Sequence, residues 1–112
     1  MPNFKMWRNL NRNVAFLDKG GKCDLCGGTA TEYHEIIQRG KTEANPSARY
    51  YSYNKVLCAC LCPSCHATAD SREVGESLLK HNYELYGQEV INQYENISKY
   101  INYIGLEVPW KH

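Results

Sequence analysis

Two cysteine pairs, Cys23-x-x-Cys26 and Cys62-Pro63-Ser64-Cys65, stand 35 residues apart in a chain of 112. No other feature constrains the fold as tightly. A C-x-x-C turn presents two sulfurs on one side, and two such turns complete the ligands of a tetrahedral ion. Thiolates suit zinc. Cys23, Cys26, Cys62 and Cys65 are therefore expected to hold one structural zinc, with a folded insert between the knuckles. The alternative for the same four residues is a pair of free or redox-active dithiols. Cys58 and Cys60 alternate in a strand-like stretch and read as small buried side chains rather than ligands. A site closed by four thiolates leaves no coordination position open. Any chemistry must lie in what the knuckles pin together.

A chain of this length suggests a single domain, 1–112, with a modest core of the kind that often carries a metal or disulfide staple. The N-terminal stretch MPNFKMWRNLNRN is polar and has no apolar segment of the kind a secretory leader carries. No run of eighteen apolar residues exists, so no membrane span is expected. The expected setting is cytoplasmic, with reduced thiols and metal binding favoured over disulfides. The net charge is +1. Its distribution is uneven: residues 1–60 hold nine Lys/Arg against five Asp/Glu, and residues 61–112 hold four against seven. A basic first half can meet phosphates, and it is also compatible with an ordinary mixed surface.

Local patterns place the motifs. Trp7, Leu10, Val14 and Leu17 recur at helical spacing over residues 5–17, and Lys19-Gly20-Gly21-Lys22 ends that helix. Residues 30–38 read as a first strand, 40–49 as a loop and 50–57 as a second strand. A helix is expected from His66 to about Tyr86, with Leu78, Leu79, Tyr83 and Tyr86 as its apolar stripe. Gly87 breaks it, and a further amphipathic helix covers 88–104. Tyr83, Tyr86, Tyr94, Tyr100 and Tyr103 read as packing groups rather than base-stacking platforms. His81 and His112 read as surface residues.

The insert carries the candidate chemistry. His34 and Glu35 lie on the first strand, Asn54 on the second, and His66 at the start of the helix. Asp70 is one helical turn beyond His66, and residues i and i+4 share a helix face. His66, Asp70 and His34 could then hold one divalent ion with positions left open, the arrangement of a catalytic site. Such ligands admit Mg2+, Mn2+, Ni2+ or Zn2+. Strand alternation adds a condition: consecutive side chains face opposite sides, so a straight strand brings only one of His34 and Glu35 to the site. Arg39, Lys41 and Arg49 are candidate phosphate contacts or a solvated loop.

The sequence resembles the HNH endonucleases, also called ββα-metal or His-Me finger nucleases, especially phage and bacterial members with two zinc knuckles. The matching stretches are DKGGKCDLCG, EYHEIIQRGK, YNKVL and LCPSCHATAD, within residues 7–70. The resemblance implies an α+β fold: a small ββα-metal core over about 22–86 with the structural zinc on its four cysteines, preceded by a helix and followed by a C-terminal helical extension over about 87–112. It implies metal-dependent hydrolysis of DNA phosphodiester bonds. It assigns His34, His66 and Asp70 to a catalytic divalent metal and Glu35 to the position that many members fill with a histidine general base. It assigns Asn54 to orienting the catalytic loop or approaching the metal. An unperturbed glutamate, with a pKa of about 4.3, is a weak base near neutrality. The alternative is a catalytically weak or inactive zinc-stapled module of the same fold. Such a module binds DNA, or a protein partner through the C-terminal helices.

Overall fold

Asn3 starts the first helix by accepting a hydrogen bond from the Met6 backbone N–H at 3.2 Å, as an N-cap residue does. The computed structural model, which describes residues 3–111, continues from there as an α+β arrangement. Helix α1 (Phe4–Asp18) is followed by strand β1 (Glu32–Glu35), helix α2 (Arg39–Thr42) and helix α3 (Pro46–Ser52). A 3₁₀ turn (Lys55–Leu57), strand β2 (Cys58–Leu61) and helix α4 (Pro63–His66) come next. Helices α5 (Arg72–Tyr86) and α6 (Gln88–Ser98) complete the order. The two strands form one antiparallel sheet, with Tyr33 opposite Cys60 and His34 opposite Ala59.

A two-stranded sheet leaves both of its edges open, and unpaired edges must be covered. Here polar side chains cover them. On the β2 side, the Asp24 N–H donates to the Cys60 carbonyl at 2.8 Å, and Asp24 Oδ2 accepts from the Cys60 N–H at 2.9 Å. Asn82 Nδ2, from α5, donates to the Cys58 carbonyl at 2.7 Å and the Val56 carbonyl at 3.0 Å. On the β1 side, Arg8 donates to the Tyr33 carbonyl at 2.8 Å and Arg12 to the Thr31 carbonyl at 3.2 Å. Lys19 sits inside this frame. Its ammonium contacts Asp24 at 2.7 Å, Asn82 Oδ1 at 2.9 Å and the Cys58 carbonyl at 3.3 Å. The Lys19 and Asp24 side chains are only 3% and 2% exposed. All three ammonium protons have acceptors, as a buried lysine requires.

Several elements fall where the periodicity does not place them. The expected second strand over 50–57 is helical instead. Asn45 accepts from the Ser47 and Ala48 N–H groups and Pro46 occupies the first turn, so the Asn-Pro pair that reads as a loop is a helix start. The strand is Cys58–Leu61, every residue of it buried. Helix α1 is rotated from its expected stripe: Asn11 and Ala15 are buried, whereas Leu10 is 58% and Leu17 81% exposed. The inward face is set by Trp7, which stacks on Tyr50 at 4.5 Å and donates from Nε1 to the Tyr50 carbonyl. Asn11 fixes it further by accepting from the Lys55 N–H at 3.0 Å. The helix expected from His66 to Tyr86 is two helices, separated by a turn at 67–70 and restarted by the Ser71 cap. The last helix stops at Ser98 rather than 104. Beyond it, Trp110 packs between Tyr83 and Tyr94, and Lys41 Nζ donates to the Ile104 carbonyl at 2.7 Å.

The apolar core gathers Ile37, Val56, Leu57, Leu61, Leu78, Leu79, Val90 and Ile97 between the sheet and helices α5 and α6. Cys58 and Cys60 are fully buried within it, as expected. Tyr83, Tyr86 and Tyr94 are half-buried packing groups, whereas Tyr103 is exposed. No helix among the described residues is long and apolar enough to cross a membrane.

The buried Lys19–Asp24 pair generates a stability prediction. Breaking a buried pair from one side leaves an uncompensated charge, at a cost of about 3–5 kcal/mol. Lys19→Met should lower the unfolding free energy measured by urea titration by that amount. Lys22→Met, altering an exposed neighbour, should leave it nearly unchanged.

Candidate metal centres

The first knuckle is a tight hairpin. Lys22 bridges Thr29, the Cys23 N–H donates to the Gly28 carbonyl at 2.6 Å, and the Gly27 N–H returns to the Cys23 carbonyl at 2.9 Å. Gly27 takes φ 77°, which an L side chain adopts only with strain. The second knuckle opens α4: Cys62 is its N-cap, Pro63 follows, and the Cys65 N–H points at Cys62 Sγ at 3.4 Å.

These two turns bring the four sulfurs of Cys23, Cys26, Cys62 and Cys65 within 4.8 Å of one another, with those of Cys26 and Cys62 3.7 Å apart. A tetrahedron of zinc–sulfur bonds about 2.3 Å long has edges of roughly 3.8 Å. The cluster therefore fits a structural ion such as zinc. The electrostatics agree. Burial pushes the Cys23 thiol up, but the backbone N–H groups of Cys62, Cys26 and Leu25 outweigh it and bring the thiol down to about 6. Cys65 is pushed up to about 12, first by its bond to Cys62, then by burial, and then by Cys23 and Cys26. One thiolate forms readily and then opposes the next, a conflict that a divalent cation removes. The other two cysteines differ in kind: burial drives Cys60 up to about 11 and Cys58 higher still, so neither is a ready ligand.

The second candidate site is built on β1. Its alternation divides the strand into two faces. Glu32 and His34 face the end of α4. The His34 and His66 rings lie 5.1 Å apart at 69°, and His66 Nδ1 is 2.5 Å from Glu32 Oε1. Tyr33 and Glu35 face α1. The Arg8 guanidinium lies over the Tyr33 ring and contacts Glu35 at 3.2 Å. His34 and Glu35 are thus turned apart, and Glu35, which the resemblance places in the base position, is engaged by Arg8.

His34 is 5% exposed, and its Nε2 has no hydrogen-bond partner. A buried polar atom without a partner is costly and calls for an explanation. Burial first, and the neighbouring His66 second, hold the imidazole below its usual pKa, although Asp70 and Glu35 pull the other way. His34 is therefore neutral near pH 7, the form in which imidazole ligates a metal or accepts a proton.

The remaining candidates are placed less directly. Asp70 lies in the turn after α4, not on a helix shared with His66, so the i, i+4 geometry does not apply. Its backbone carbonyl accepts from Gln38 Nε2 at 2.8 Å, and the residue is exposed. Among the described residues, the four cysteines are the only group of three or more His, Cys, Asp or Glu with ligand atoms this close together. Asn54 is a turn residue rather than a strand residue. Its side chain accepts from the Val56 N–H at 3.0 Å and so orients the chain entering β2. Lys41 is committed to the Ile104 carbonyl, and Arg49 lies over the Phe4 ring and donates to Tyr53. Of the three candidate phosphate contacts, Arg39 is exposed at the start of α2, and Tyr53 and Glu35 hold it firmly charged. His81, expected to be a simple surface residue, contacts Asp24 at 3.1 Å; His112 lies outside the described residues. Glu32 is the site residue that the sequence motifs do not single out, though the same-face rule applied two residues back from His34 finds it.

No family model, curated protein or solved structure matches the chain.

Because the ion binds thiolates rather than thiols, its binding must displace protons. The affinity of the cluster for zinc or cobalt should rise as pH increases from about 6 to about 8. Cobalt loading should give the thiolate charge-transfer and tetrahedral ligand-field bands of a four-sulfur site. Cys26→Ser should weaken them and Cys60→Ala should not; equal loss in both variants would contradict the assignment.

Proposed function

We propose that the chain is a metal-dependent HNH-type endonuclease that hydrolyses phosphodiester bonds of DNA. The observation that carries this proposal is the unpartnered Nε2 of buried His34 beside His66, on the strand pinned by the four-cysteine knuckles. His34 and His66 would hold the divalent ion, and their ligand chemistry admits Mg2+, Mn2+, Ni2+ or Zn2+. Such an ion supplies charge neutralisation at a scissile phosphate and a lowered pKa for water when bound. The residues do the rest by position. His34 stays neutral through burial and keeps a lone pair available. Asn54 fixes the turn that leads into β2. Arg39, exposed near the end of β1, is suited to a DNA phosphate. In the hydrolysis, a water oxygen bonds to phosphorus, the bond from phosphorus to the 3′ oxygen breaks, and that oxygen takes up a proton. Glu35 faces Arg8, so the proton lost by the attacking water is not assigned to it.

A second function of a different class follows from the same geometry. With no ready third ligand among the described residues and with Glu35 turned away, the chain would serve as a zinc-stapled module that binds DNA or a protein partner without cutting. Supercoiled plasmid incubated with Mg2+, Mn2+ or Ni2+ separates the two. The endonuclease nicks it, and His34→Ala and His66→Ala abolish nicking while retaining the cobalt bands. DNA binding without nicking in every metal supports the module instead.

Glu35 provides a sharper test of the base. Removing a general base costs about 10²–10⁴-fold, so Glu35→Gln should reduce nicking by less than about tenfold if the proton is accepted elsewhere. A larger loss that Glu35→His restores would return the base role to this position.

A further inference from the structure

Glu32, the first residue of β1, contacts His66. The Glu32 Oε1 to His66 Nδ1 distance is 2.5 Å, and the pair joins β1 to the end of α4. Both side chains are about one-third exposed, so the contact is reached by solvent. A carboxylate next to an imidazole nitrogen can accept a hydrogen bond from it and cannot donate one when ionised. The neutral His66 ring must then carry its proton on Nδ1, which leaves the lone pair on Nε2. The two ring nitrogens point in different directions, so the choice of tautomer decides where the ligating electron pair is aimed. On the same face of β1, two residues along, stands His34 with its own unpartnered nitrogen.

We infer that Glu32 is a positioning residue: it fixes His66 as the Nδ1–H tautomer and turns Nε2 toward a divalent cation shared with His34. The cation half of this inference rests on the proposed function; the tautomer half does not. Outer carboxylates of this kind orient ligating histidines and raise their basicity, and losing one typically weakens metal binding by about 10–100-fold. The geometry also explains why a glutamate stands here. β1 is four residues long, and Glu32 is its first residue, opposite Leu61 just before the second knuckle. Its side chain can therefore reach the helix end that the knuckle delivers. Glu35, at the other end and on the other face, cannot.

The test uses the full zinc-loaded chain. Long-range proton–nitrogen correlation spectra of the His66 ring, recorded well above neutral pH without a second metal, report the tautomer directly. The expected pattern is Nδ1–H in the wild type and in Glu32→Gln, whose amide oxygen still accepts, with a shift toward Nε2–H in Glu32→Ala. Titration with Mn2+ is the second arm. Glu32→Ala should bind Mn2+ roughly 10–100-fold more weakly than the wild type, with unchanged cobalt bands at the cysteines, and Glu32→Gln should recover part of the loss. An Nε2–H pattern in the wild type overturns the inference, as does Mn2+ affinity unchanged in Glu32→Ala. A wild-type Nδ1–H pattern with no binding of Mn2+, Mg2+ or Ni2+ supports the hold of Glu32 on His66 while overturning the endonuclease.

Discussion

Four thiols drawn into one small volume cannot all ionise without a cation, and the register between the two halves of the chain is set where they meet. The first knuckle follows α1 after the short turn at 19–22 and the second follows β2 directly, so an ion at Cys23, Cys26, Cys62 and Cys65 ties the helix–turn to the end of the sheet. The sheet itself is too small to persist alone; two strands of four residues offer few hydrogen bonds and little buried area. Its edges are closed by Asp24, Asn82, Arg8 and Arg12, and Asp24 is the residue immediately after the first zinc-type ligand. The metal clamp and the sheet edge are thus one construction, with the buried Lys19 ammonium as its centre. Loss of the ion would loosen Asp24, and with it the hydrogen bonds that define β2.

This arrangement also explains how a buried histidine can be kept without a partner. An unpartnered polar atom in a core is normally removed by a local shift of the chain. Here β1 has little freedom to shift. The Tyr33 carbonyl and the Thr31 carbonyl just before the strand are bonded to α1, its partner strand is fully buried, and Gln38, three residues beyond its end, is joined to Asp70 of the 67–70 turn. The frame holds His34 in place at the expense of its unsatisfied nitrogen, as sites prepared for a ligand do. The proposed chemistry thus depends on the stiffness of the frame, and the knuckles supply that stiffness while taking no part in the reaction.

The legible parts of this fold are those whose signal is local. Cysteine spacing points to the four-sulfur cluster, a glycine pair marks the end of α1, and Gly87, at φ 63°, separates α5 from α6 as its position in the apolar pattern implies. Strand alternation alone separates His34 from Glu35. The misplaced elements share a cause. Tyr50 to Tyr53 carry high strand propensity, but the capped start at Asn45-Pro46 and the stacking of Trp7 on Tyr50 override it, because tertiary packing outweighs a propensity of a few tenths of a kcal/mol per residue. The rotation of α1 is hidden for a related reason. Its inward face is set by hydrogen bonds from Trp7 and Asn11 and by two arginines on carbonyls, none of which registers in an apolar periodicity. Polar pairs such as Lys19–Asp24 and Glu32–His66 join residues 5 and 34 positions apart, and only the second knuckle's return to β1 brings the latter together.

Anomalous diffraction from crystals of the zinc-loaded chain soaked in Mn2+, recorded on either side of the manganese edge, tests the central claim most directly. The division of labour between sulfurs and imidazoles predicts a zinc peak among the four cysteine sulfurs and a separate manganese peak within bonding distance of His34 Nε2 and His66. Manganese absent from the imidazole pair, with the two rings unchanged and zinc in place, would contradict it.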